Sequence, residues 1–381
     1  MFNIKTVKQS IFFKQNWIEL DKSAFHFNLK KVRNYIAQDT KIMLVIKSNA
    51  YGHGCVEFAK EANKSGISQL AVSSLEEGIK LRESGVKSNI LLLDTIFPFE
   101  NFQVAIAHSL TPTISSIAQL PILEHLAIRL NKRINFHLKI DTGMGRIGIS
   151  SNIAKIILQK ISKMSCVNMV GLYTHFAVAD TDPSFTQLQL NIFTQIVRFA
   201  RVYLNFKFTA HSANSAALLK NKYTHLDMVR FGLLAYGLPP FKNLDKIFKL
   251  KPVLTWKTLI TFLKKVPAGF SISYGRTFVT NKMSTIATIP VGYSDGYNRI
   301  LSNKGHVLVH GKYCPIIGRI TMTETMIDVT DVKNVNLFDE VVLIGYQNKS
   351  QIKVEDLASL QNTINYEVIC SIAEHIPRIV I

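Results

Sequence analysis

A lysine at the end of an apolar run is the residue in this sequence with the clearest potential for chemistry. Lys47 closes the segment IMLVIK, and the segment SNAYGHG follows it directly. An amine at the end of a buried strand is partly desolvated, which lowers its pKa and makes the neutral, nucleophilic form accessible. The small residues that follow leave room for a bulky ligand. A lysine at the end of a strand can also be a surface residue whose amine reaches solvent, so Lys47 alone leaves both interpretations open.

Further ionisable and polar residues follow other apolar runs in the same way. They are Lys139, Asp141, Arg146, His175, His211, Asn214, Ser215 and Arg230. Each of them taken singly could cap a strand or lie on the surface, but that explanation fits the whole set poorly. Because active sites of barrel proteins lie at the C-terminal ends of the strands, the set predicts one active site there.

Several hydroxyl groups, one glycine and the residue that follows the glycine are candidates for binding a phosphate. A glycine leaves its backbone N–H accessible, and hydroxyl groups can donate hydrogen bonds to phosphate oxygens. The candidates are Tyr51, Ser215, Gly232, Leu233 and Tyr366. For the two tyrosines, a place at the edge of the core is an equally good explanation.

The elements that must position these residues alternate between short apolar runs and amphipathic segments. The eight runs are IMLVIK, QLAVS, NILLLD, TPTIS, INFHLKI, MVGLYTH, FTAHS and LDMVRFG. This alternation predicts parallel strand–helix units, and eight such units predict a (β/α)8 TIM-like barrel in an α/β protein. A doubly wound open sheet is the alternative, but the glycine-rich dinucleotide fingerprint is absent after the first run.

The pattern changes after about residue 250. Segments such as VLTWKTLITFL, STIATIPVGY and EVVLIGYQ are rich in β-branched and aromatic residues and are separated by Gly, Pro and Asn, which is typical of β structure. A final helical stretch, VEDLASLQNTINYEVICSIA, precedes the C-terminus. The sequence therefore predicts a barrel domain over 10–250 and a mainly-β domain over 251–381, with the boundary near Pro252.

Composition excludes several other classes of protein. The net charge is +19, but the basic residues are scattered, so we expect a basic surface rather than nucleic-acid binding. No apolar run reaches the roughly 18 residues that a membrane span needs. The N-terminal segment MFNIKTVKQSIFFKQNW lacks the features of a signal peptide. The cysteines, which show no metal-ligand spacing, predict reduced thiols in a cytoplasmic protein without a metal site; they are Cys55, Cys166, Cys314 and Cys370.

Nine segments together resemble, in the same order, those of bacterial alanine racemases. They are VIKSNAYGHG, HLKIDTGMGRIGI, GLYTHFAVAD, HSANSAA, MVRFGLLAYG, SYGRTF, IPVGYSDGYNR, CPIIGRITM and INYEVIC. The resemblance extends from about Trp17 to Arg378. It implies a homodimer in which each barrel binds pyridoxal 5′-phosphate and the partner's β domain completes each active site. It also implies that the substrate is alanine and that the product D-alanine serves peptidoglycan synthesis.

The resemblance also implies a role for individual residues. Lys47 resembles the Schiff-base lysine and one catalytic base, and Tyr274 resembles the second base, which reaches in from the other subunit. Arg230 would face the pyridine nitrogen, Arg146 would hold the substrate carboxylate, and His175 would support the cofactor and orient Tyr274. The resemblance implies that the phosphate is bound by Tyr51, Ser215, Gly232, Leu233 and Tyr366. Met322 of the partner subunit would offer its backbone N–H to the substrate carboxylate, and Lys139 would be carbamylated. The substrate entrance would be lined by Asp180, Tyr293, Arg299 and Arg319.

These residue types suit racemisation, which removes the α-proton from one face of the substrate and returns a proton on the other. A lysine and a tyrosine on opposite faces can do this if both pKa values are lowered towards the working pH. Arginine opposite the pyridine nitrogen stays charged and cannot protonate the ring as a carboxylic acid would. We therefore expect a short-lived carbanion and few side reactions.

Two positions depart from the family pattern. Thr323 follows Met322 where an aspartate is usual, which changes the charge of that loop. His375 stands in EHIPR where an arginine is common. Two other functions remain open: a racemase of broader specificity that also accepts serine or lysine, and a non-catalytic carrier of pyridoxal phosphate. The long β domain with Tyr274 and Met322 argues against the carrier.

Overall fold

The computed structural model describes residues 15–381, which divide into two compact units. The barrel unit comprises Phe25–Ala50 and Gly54–Lys251. The β unit comprises residues 15–24, Tyr51–His53 and Pro252–Ile381. The first strand, β1 (Asn16–Leu20), belongs to the β unit, whereas the sequence-based range of 10–250 places it in the barrel. The reason is its pairing with β strands near residues 254 and 378. The signal-peptide prediction concerns residues that lie mostly outside the described ones.

Eight parallel strands form the barrel, in the order β4-β3-β2-β10-β9-β8-β6-β5. Their bounds are β2 Lys41–Val45, β3 Gln69–Val72, β4 Asn89–Leu92, β5 Thr113–Ile114, β6 Ile134–Asp141, β8 Val167–Tyr173, β9 Thr209–His211 and β10 Met228–Phe231, while β7 (Ile149–Ser150) pairs with β6. A parallel bridge between Leu91 and Thr111 brings the two ends of this sheet together. The predicted (β/α)8 fold is confirmed, and each of the eight apolar runs overlaps one barrel strand.

Helices connect the barrel strands. They are α1 Lys22–Tyr35, α2 Cys55–Lys64, α3 Leu75–Glu83, α4 Asn101–Ala107, α5 Gln119–Leu130, α6 Ala154–Ile161, α7 Pro183–Tyr203 and α8 Ser215–Lys220. Local sequence sets several of their starts. Ser74 and Glu77 form a capping box at α3, and the side chain of Asp182 caps α7 just before Pro183.

The β unit is built from three sheets. The largest has the order β17-β16-β19-β11-β1-β21, the second is β12-β15-β18, and the third is the hairpin β13-β14. Their bounds are β11 Leu254–Leu259, β12 Phe262–Val266, β13 Ser271–Ile272, β14 Phe278–Val279, β15 Ser284–Ile289, β16 His306–Val309, β17 Lys312–Pro315, β18 Thr325–Asp328, β19 Glu340–Gln347, β20 Ser350–Ile352 and β21 Arg378–Val380. The predicted mainly-β character is confirmed.

Alternating burial along the strands builds the core of the β unit. In β11, every second residue is buried, which is the pattern of a strand with one face on the core. Val266, Ile272, Ile286 and Ile317 form one buried cluster, to which the hairpin β13-β14 contributes Ile272. The predicted C-terminal helical stretch is two helices, α9 Val354–Gln361 and α10 Asn365–Cys370, because Asn362 ends α9 in the left-handed conformation.

Within the described residues, none of the helices combines the length and the apolar character that crossing a membrane requires.

Candidate active site

The chain makes a left-handed turn directly after the first barrel strand. Ser48, Asn49, Ala50 and Tyr51 all have φ between 51° and 56°, beginning one residue after Lys47. Each residue with a Cβ costs roughly 1–2 kcal/mol in this conformation, so such a turn persists only where its surroundings hold it. The sequence did not predict this turn, because the pattern SNAYGHG indicates only small residues.

Hydrogen bonds hold the barrel part of this turn in place. Asn49 accepts two of them, from Gly54 N to its carbonyl at 2.8 Å and from Cys55 N to its Oδ1 at 2.9 Å. The backbone N–H of Ser48 donates to the Glu77 carboxylate. These hydrogen bonds fix the residues that directly follow Lys47 and so restrict the position of the Lys47 backbone.

Arg230 is buried in the barrel, 3% exposed, and its guanidinium is surrounded by acceptors. Its Nη2 donates to the carbonyl oxygens of Thr174 at 2.8 Å and Ser212 at 3.1 Å, and Nδ1 of His175 lies 3.4 Å away. Its Nη1 donates to Nδ1 of His211 at 2.9 Å. Burial lowers the pKa of Arg230 to about 10, which still leaves it charged at neutral pH.

Two histidines extend this hydrogen-bond network, and their hydrogen bonds determine which ring nitrogen of each one carries the proton. Because a guanidinium can only donate, Nδ1 of His211 accepts from Arg230, and the proton of His211 lies on Nε2. That Nε2 donates to Nδ1 of His137 at 2.9 Å, which places the proton of His137 on its own Nε2. Burial, and then the positive charge of Arg230, lower the pKa of His137 to about 3 and that of His211 well below its usual range. Both rings are neutral.

Tyr173 and Gly171 complete the packing around these rings. The Tyr173 ring stacks on His211 at 4.8 Å between centroids, and its hydroxyl lies 2.9 Å from Thr113 Oγ1. Burial raises the pKa of Tyr173 to about 12, so the phenol stays protonated. A Cβ on Gly171 would lie 2.2 Å from Nδ1 of His137, so only glycine leaves room for the histidine. His137, Tyr173 and Gly171 were not among the predicted site residues, because single residues of this kind within apolar strands form no distinct sequence pattern.

Lys139 is a lysine buried inside the barrel. It is 4% exposed, and its Nζ lies 5.5 Å from the centre of the Tyr173 ring. Desolvation, and then the charges of Arg146 and Arg230, lower its pKa to about 8. Within residues 15–381 its amine has no ion-pair partner. Roughly a tenth of the Lys139 amine is therefore neutral at pH 7.

The glycine-rich loop after β6 is organised by Asp141. Its carboxylate accepts from the backbone N–H of Gly143 and Met144 at 2.9 Å each and also from that of Gly145. Burial alone would raise the pKa of Asp141, but these hydrogen bonds lower it below its usual value. Asp141 is thus a structural residue that shapes the loop, and Arg146 at the end of this loop is exposed.

The phosphate candidates are divided between the two units. Ser215 begins α8, where Asn214 is the N-cap, and Gly232 directly precedes the 3-10 turn that starts at Leu233. All three barrel candidates are buried. In the β unit, the rings of Tyr51 and Tyr366 lie 6.2 Å apart. The structure brings these two tyrosines together although 314 positions separate them in the sequence.

The remaining predicted residues are largely exposed. Tyr274 is 70% exposed, Met322 57% and Tyr293 44%. Arg299 and Asp180 are exposed as well, and Arg319 is partly buried.

The two departures from the family pattern differ in their surroundings. The turn that carries Met322 is closed by Thr321 and Glu324, and Ser294 donates its backbone N–H and its hydroxyl to the Met322 carbonyl. Thr323 is exposed, and none of these hydrogen bonds uses its side chain. His375 binds Asp295, with Nε2 3.0 Å from Oδ1, so the histidine contacts a carboxylate in this part of the chain.

The donor set of the barrel suits pyridoxal phosphate. A lysine follows the first barrel strand, a buried arginine ends a network of neutral histidines, and backbone and hydroxyl donors lie at the starts of α8 and of the 3-10 turn. These groups match an aldehyde, a ring nitrogen and a phosphate, respectively. Fold and site together define a barrel enzyme that uses pyridoxal phosphate.

The chain belongs to the alanine racemase family. Models of the alanine racemase N-terminal and C-terminal domains match residues 20–240 and 253–380. An alanine racemase of Halothermothrix orenii is 44% identical over 369 residues, which cover 96% of each chain. The alanine racemase of Bacillus anthracis, solved with bound L-Ala-P, has a TM-score of 0.90 at 35% identity. The match covers 97% of this chain and 96% of the solved chain.

A solved alanine racemase of Bartonella henselae carries covalently bound pyridoxal phosphate. It has a TM-score of 0.87 at 27% identity, and the match covers 97% of this chain and 100% of the solved chain. The protein is a pyridoxal phosphate-dependent racemase, and hence an isomerase. The predicted family, cofactor and type of reaction are confirmed.

Proposed function

We propose that this protein interconverts L-alanine and D-alanine and so supplies D-alanine for peptidoglycan in the cytoplasm. The observation that carries the proposal is the buried guanidinium of Arg230, held by His211 and two carbonyl oxygens inside a barrel of this family. Pyridoxal phosphate, when bound, takes up the electron pair that the α-carbon releases. The residues of the chain bind the substrate and move its protons.

Lys47 and Tyr274 are proposed as the two bases. Lys47 lies at the start of the left-handed turn and would also attach the cofactor covalently. Each base would remove the α-proton of one enantiomer and, when the reaction runs the other way, return a proton to that same face, while the other base serves the opposite face. Arg146 would bind the substrate carboxylate together with the backbone N–H of Met322 of the partner subunit.

Arg230 is proposed to face the pyridine nitrogen. Its pKa of about 10 means that it carries a charge and keeps its own protons at neutral pH. The neutral His211 accepts a hydrogen bond from the guanidinium without adding a charge, and His137 in turn accepts from His211. His175 would support the cofactor, with the phosphate bound by Tyr51, Ser215, Gly232, Leu233 and Tyr366.

Lys139 is proposed to be carbamylated. At pH 7, a pKa of about 8 leaves roughly a tenth of the amine neutral, and only the neutral amine can attack carbon dioxide. The carbamate would place a negative charge close to Arg146 and Arg230, whose positive charges now disfavour the ammonium. Intact-protein mass spectrometry under carbon dioxide with chemical trapping should detect the adduct in the wild type and not in Lys139→Ala.

The active unit is proposed to be a homodimer with shared active sites. The exposed side chains of Tyr274 and Met322 support this, because a catalytic base in water would need a second surface to exclude solvent. Asp180, Tyr293, Arg299 and Arg319 would line the entrance through which alanine reaches the site.

Mixed dimers test both the bases and the shared site. Lys47→Ala, which also loses the point of cofactor attachment, should abolish racemisation and α-hydrogen exchange in D2O, and Tyr274→Phe should abolish racemisation and the exchange from the enantiomer that Tyr274 deprotonates. When the two inactive variants are mixed after reversible dissociation, one active site of each hybrid dimer is intact. About a quarter of the wild-type activity should then return at an equal ratio. If each site is built from one chain, no activity returns.

Two outcomes would replace the proposal. A comparable kcat/KM for serine or lysine would identify a racemase of broader specificity. Bound cofactor without α-hydrogen exchange from either alanine enantiomer would identify a non-catalytic carrier.

A further inference from the structure

The loop that carries Tyr274 has a backbone conformation that its own residues do not favour. Ser273 has φ 63° and ψ −176°, a region that is populated almost only by glycine. Gly275 and Arg276 also have positive φ, at 71° and 49°. A non-glycine residue in such a region costs on the order of 1–3 kcal/mol and persists only when neighbouring groups hold it.

Ser273 is held by the segment between β17 and β18, which contains Arg319. Its Oγ donates to the Arg319 carbonyl oxygen at 2.6 Å. Gly275 brings the two segments close, because a Cβ there would lie 3.2 Å from Cζ of Arg319. The guanidinium of Arg319 therefore packs against the backbone of the residue that follows Tyr274.

Asn303 joins the same two segments from the other side. Its Oδ1 accepts from the backbone N–H of Gly318 at 2.6 Å, and its Nδ2 donates to Thr277 Oγ1 at 3.1 Å. The neighbouring Ser302 accepts from the backbone N–H of Ile320 at 3.0 Å. One pair of adjacent side chains thus fixes the segment 318–320 and, through Thr277, the end of the Tyr274 loop.

We propose that Ser273 and Asn303 are positioning residues for Tyr274. The inference rests on the proposed function, in which Tyr274 is one of the two bases. Because Tyr274 is 70% exposed, packing within this chain holds its side chain only weakly, and the backbone conformation sets the position from which the side chain extends. The hydrogen bonds of Ser273 and Asn303 are the contacts that hold this backbone in its unfavourable conformation.

The test is α-hydrogen exchange in D2O, measured separately for each alanine enantiomer at early times. Ser273→Ala and Asn303→Ala should slow exchange from the enantiomer that Tyr274 deprotonates by about tenfold or more, since small misplacements of a base are costly. Exchange from the other enantiomer, which Lys47 deprotonates, should change by less than about twofold. A general structural defect would slow both.

Two control variants remove similar bonds elsewhere in the β unit. Ser350→Ala loses a serine hydroxyl that donates to the Gly311 carbonyl at the same distance, 2.6 Å. Asn348→Ala removes a left-handed asparagine whose Nδ2 donates to the His310 carbonyl. Both controls should leave exchange from the two enantiomers unchanged. Amide hydrogen exchange of the segment 274–277 should accelerate in Ser273→Ala and Asn303→Ala only.

A second variant covers the case in which Ser273→Ala does not fold. Ser273→Gly loses the same hydroxyl but adopts the observed φ without strain, so it should fold and show a one-sided loss that is smaller than that of Ser273→Ala. An equal loss for both enantiomers, or no loss, would overturn the proposal. If Tyr274→Phe leaves exchange from both enantiomers intact, the role of Tyr274 itself is wrong and the positioning role fails with it.

Discussion

Three buried or partly buried histidines beside Arg230 resist protonation. Burial, and then the charge of Arg230, lower the pKa values of His137, His175 and His211. In the unfolded chain a histidine binds a proton below about pH 6.5. The unfolded state therefore binds more protons in acid, and these groups make the folded state less stable as the pH falls through 6.5 towards the folded pKa values.

The substitution His137→Asn should weaken this acid sensitivity. Asparagine keeps an acceptor for Nε2 of His211 but does not titrate. Because the folded pKa of His137 is about 3, the slope of the unfolding free energy between about pH 4 and pH 6 should decrease by about 1.4 kcal/mol per pH unit. Chemical denaturation at a series of pH values measures the slope. An unchanged slope would mean that His137 is not a neutral group in the folded protein.

Gly171 should not tolerate a side chain. In Gly171→Ala the new Cβ would lie 2.2 Å from His137 Nδ1, so the ring must move and His211 loses its acceptor. Overpacking of this kind destabilises a protein by about 1–3 kcal/mol. The double variant Gly171→Ala/His137→Ala is the control, because removing the ring restores the space. If the cost of Gly171→Ala is the same in both backgrounds, the clash is not its cause.

At the scale of elements, the left-handed turn after β2 depends on Asn49. This residue tolerates the left-handed conformation better than most residues, and its Oδ1 accepts from the first N–H of α2. Asn49→Ala loses both advantages and should reduce the unfolding free energy by about 1–2 kcal/mol. Asn49→Asp keeps the acceptor and should lose less. Denaturant titration measures both, and equal losses would show that the hydrogen bond contributes nothing.

At the scale of the whole molecule, the charge of +19 on each chain should make the proposed dimer sensitive to salt. Two such chains repel each other, and the Debye length shortens from roughly 30 Å at 0.01 M salt to about 8 Å at 0.15 M. Sedimentation at these two ionic strengths should therefore show tighter association at the higher one. The opposite trend would indicate an interface held mainly by complementary charges.

The architecture follows from sequence patterns that repeat over many residues. Eight apolar runs separated by helical segments predict the parallel barrel, since strands covered on both faces must be apolar throughout. The change to short β-branched segments after residue 250 predicts the β unit. The strand β1 was missed as part of that unit, because its pairing with β11 and β21 joins distant parts of the chain.

For the site, the sequence by itself determined which residue types stand at the strand ends, among them Lys47, His175 and Arg230. The order of the sequence motifs is enough to locate these residues, without knowledge of the three-dimensional structure. Only the tertiary structure decided what these residues contact: the protons of His211 and His137, the space above Gly171, and the hydrogen bonds that hold Ser273. Such contacts join residues that are far apart in the chain, and hydrogen-bond direction and steric fit depend on distances that no local pattern contains.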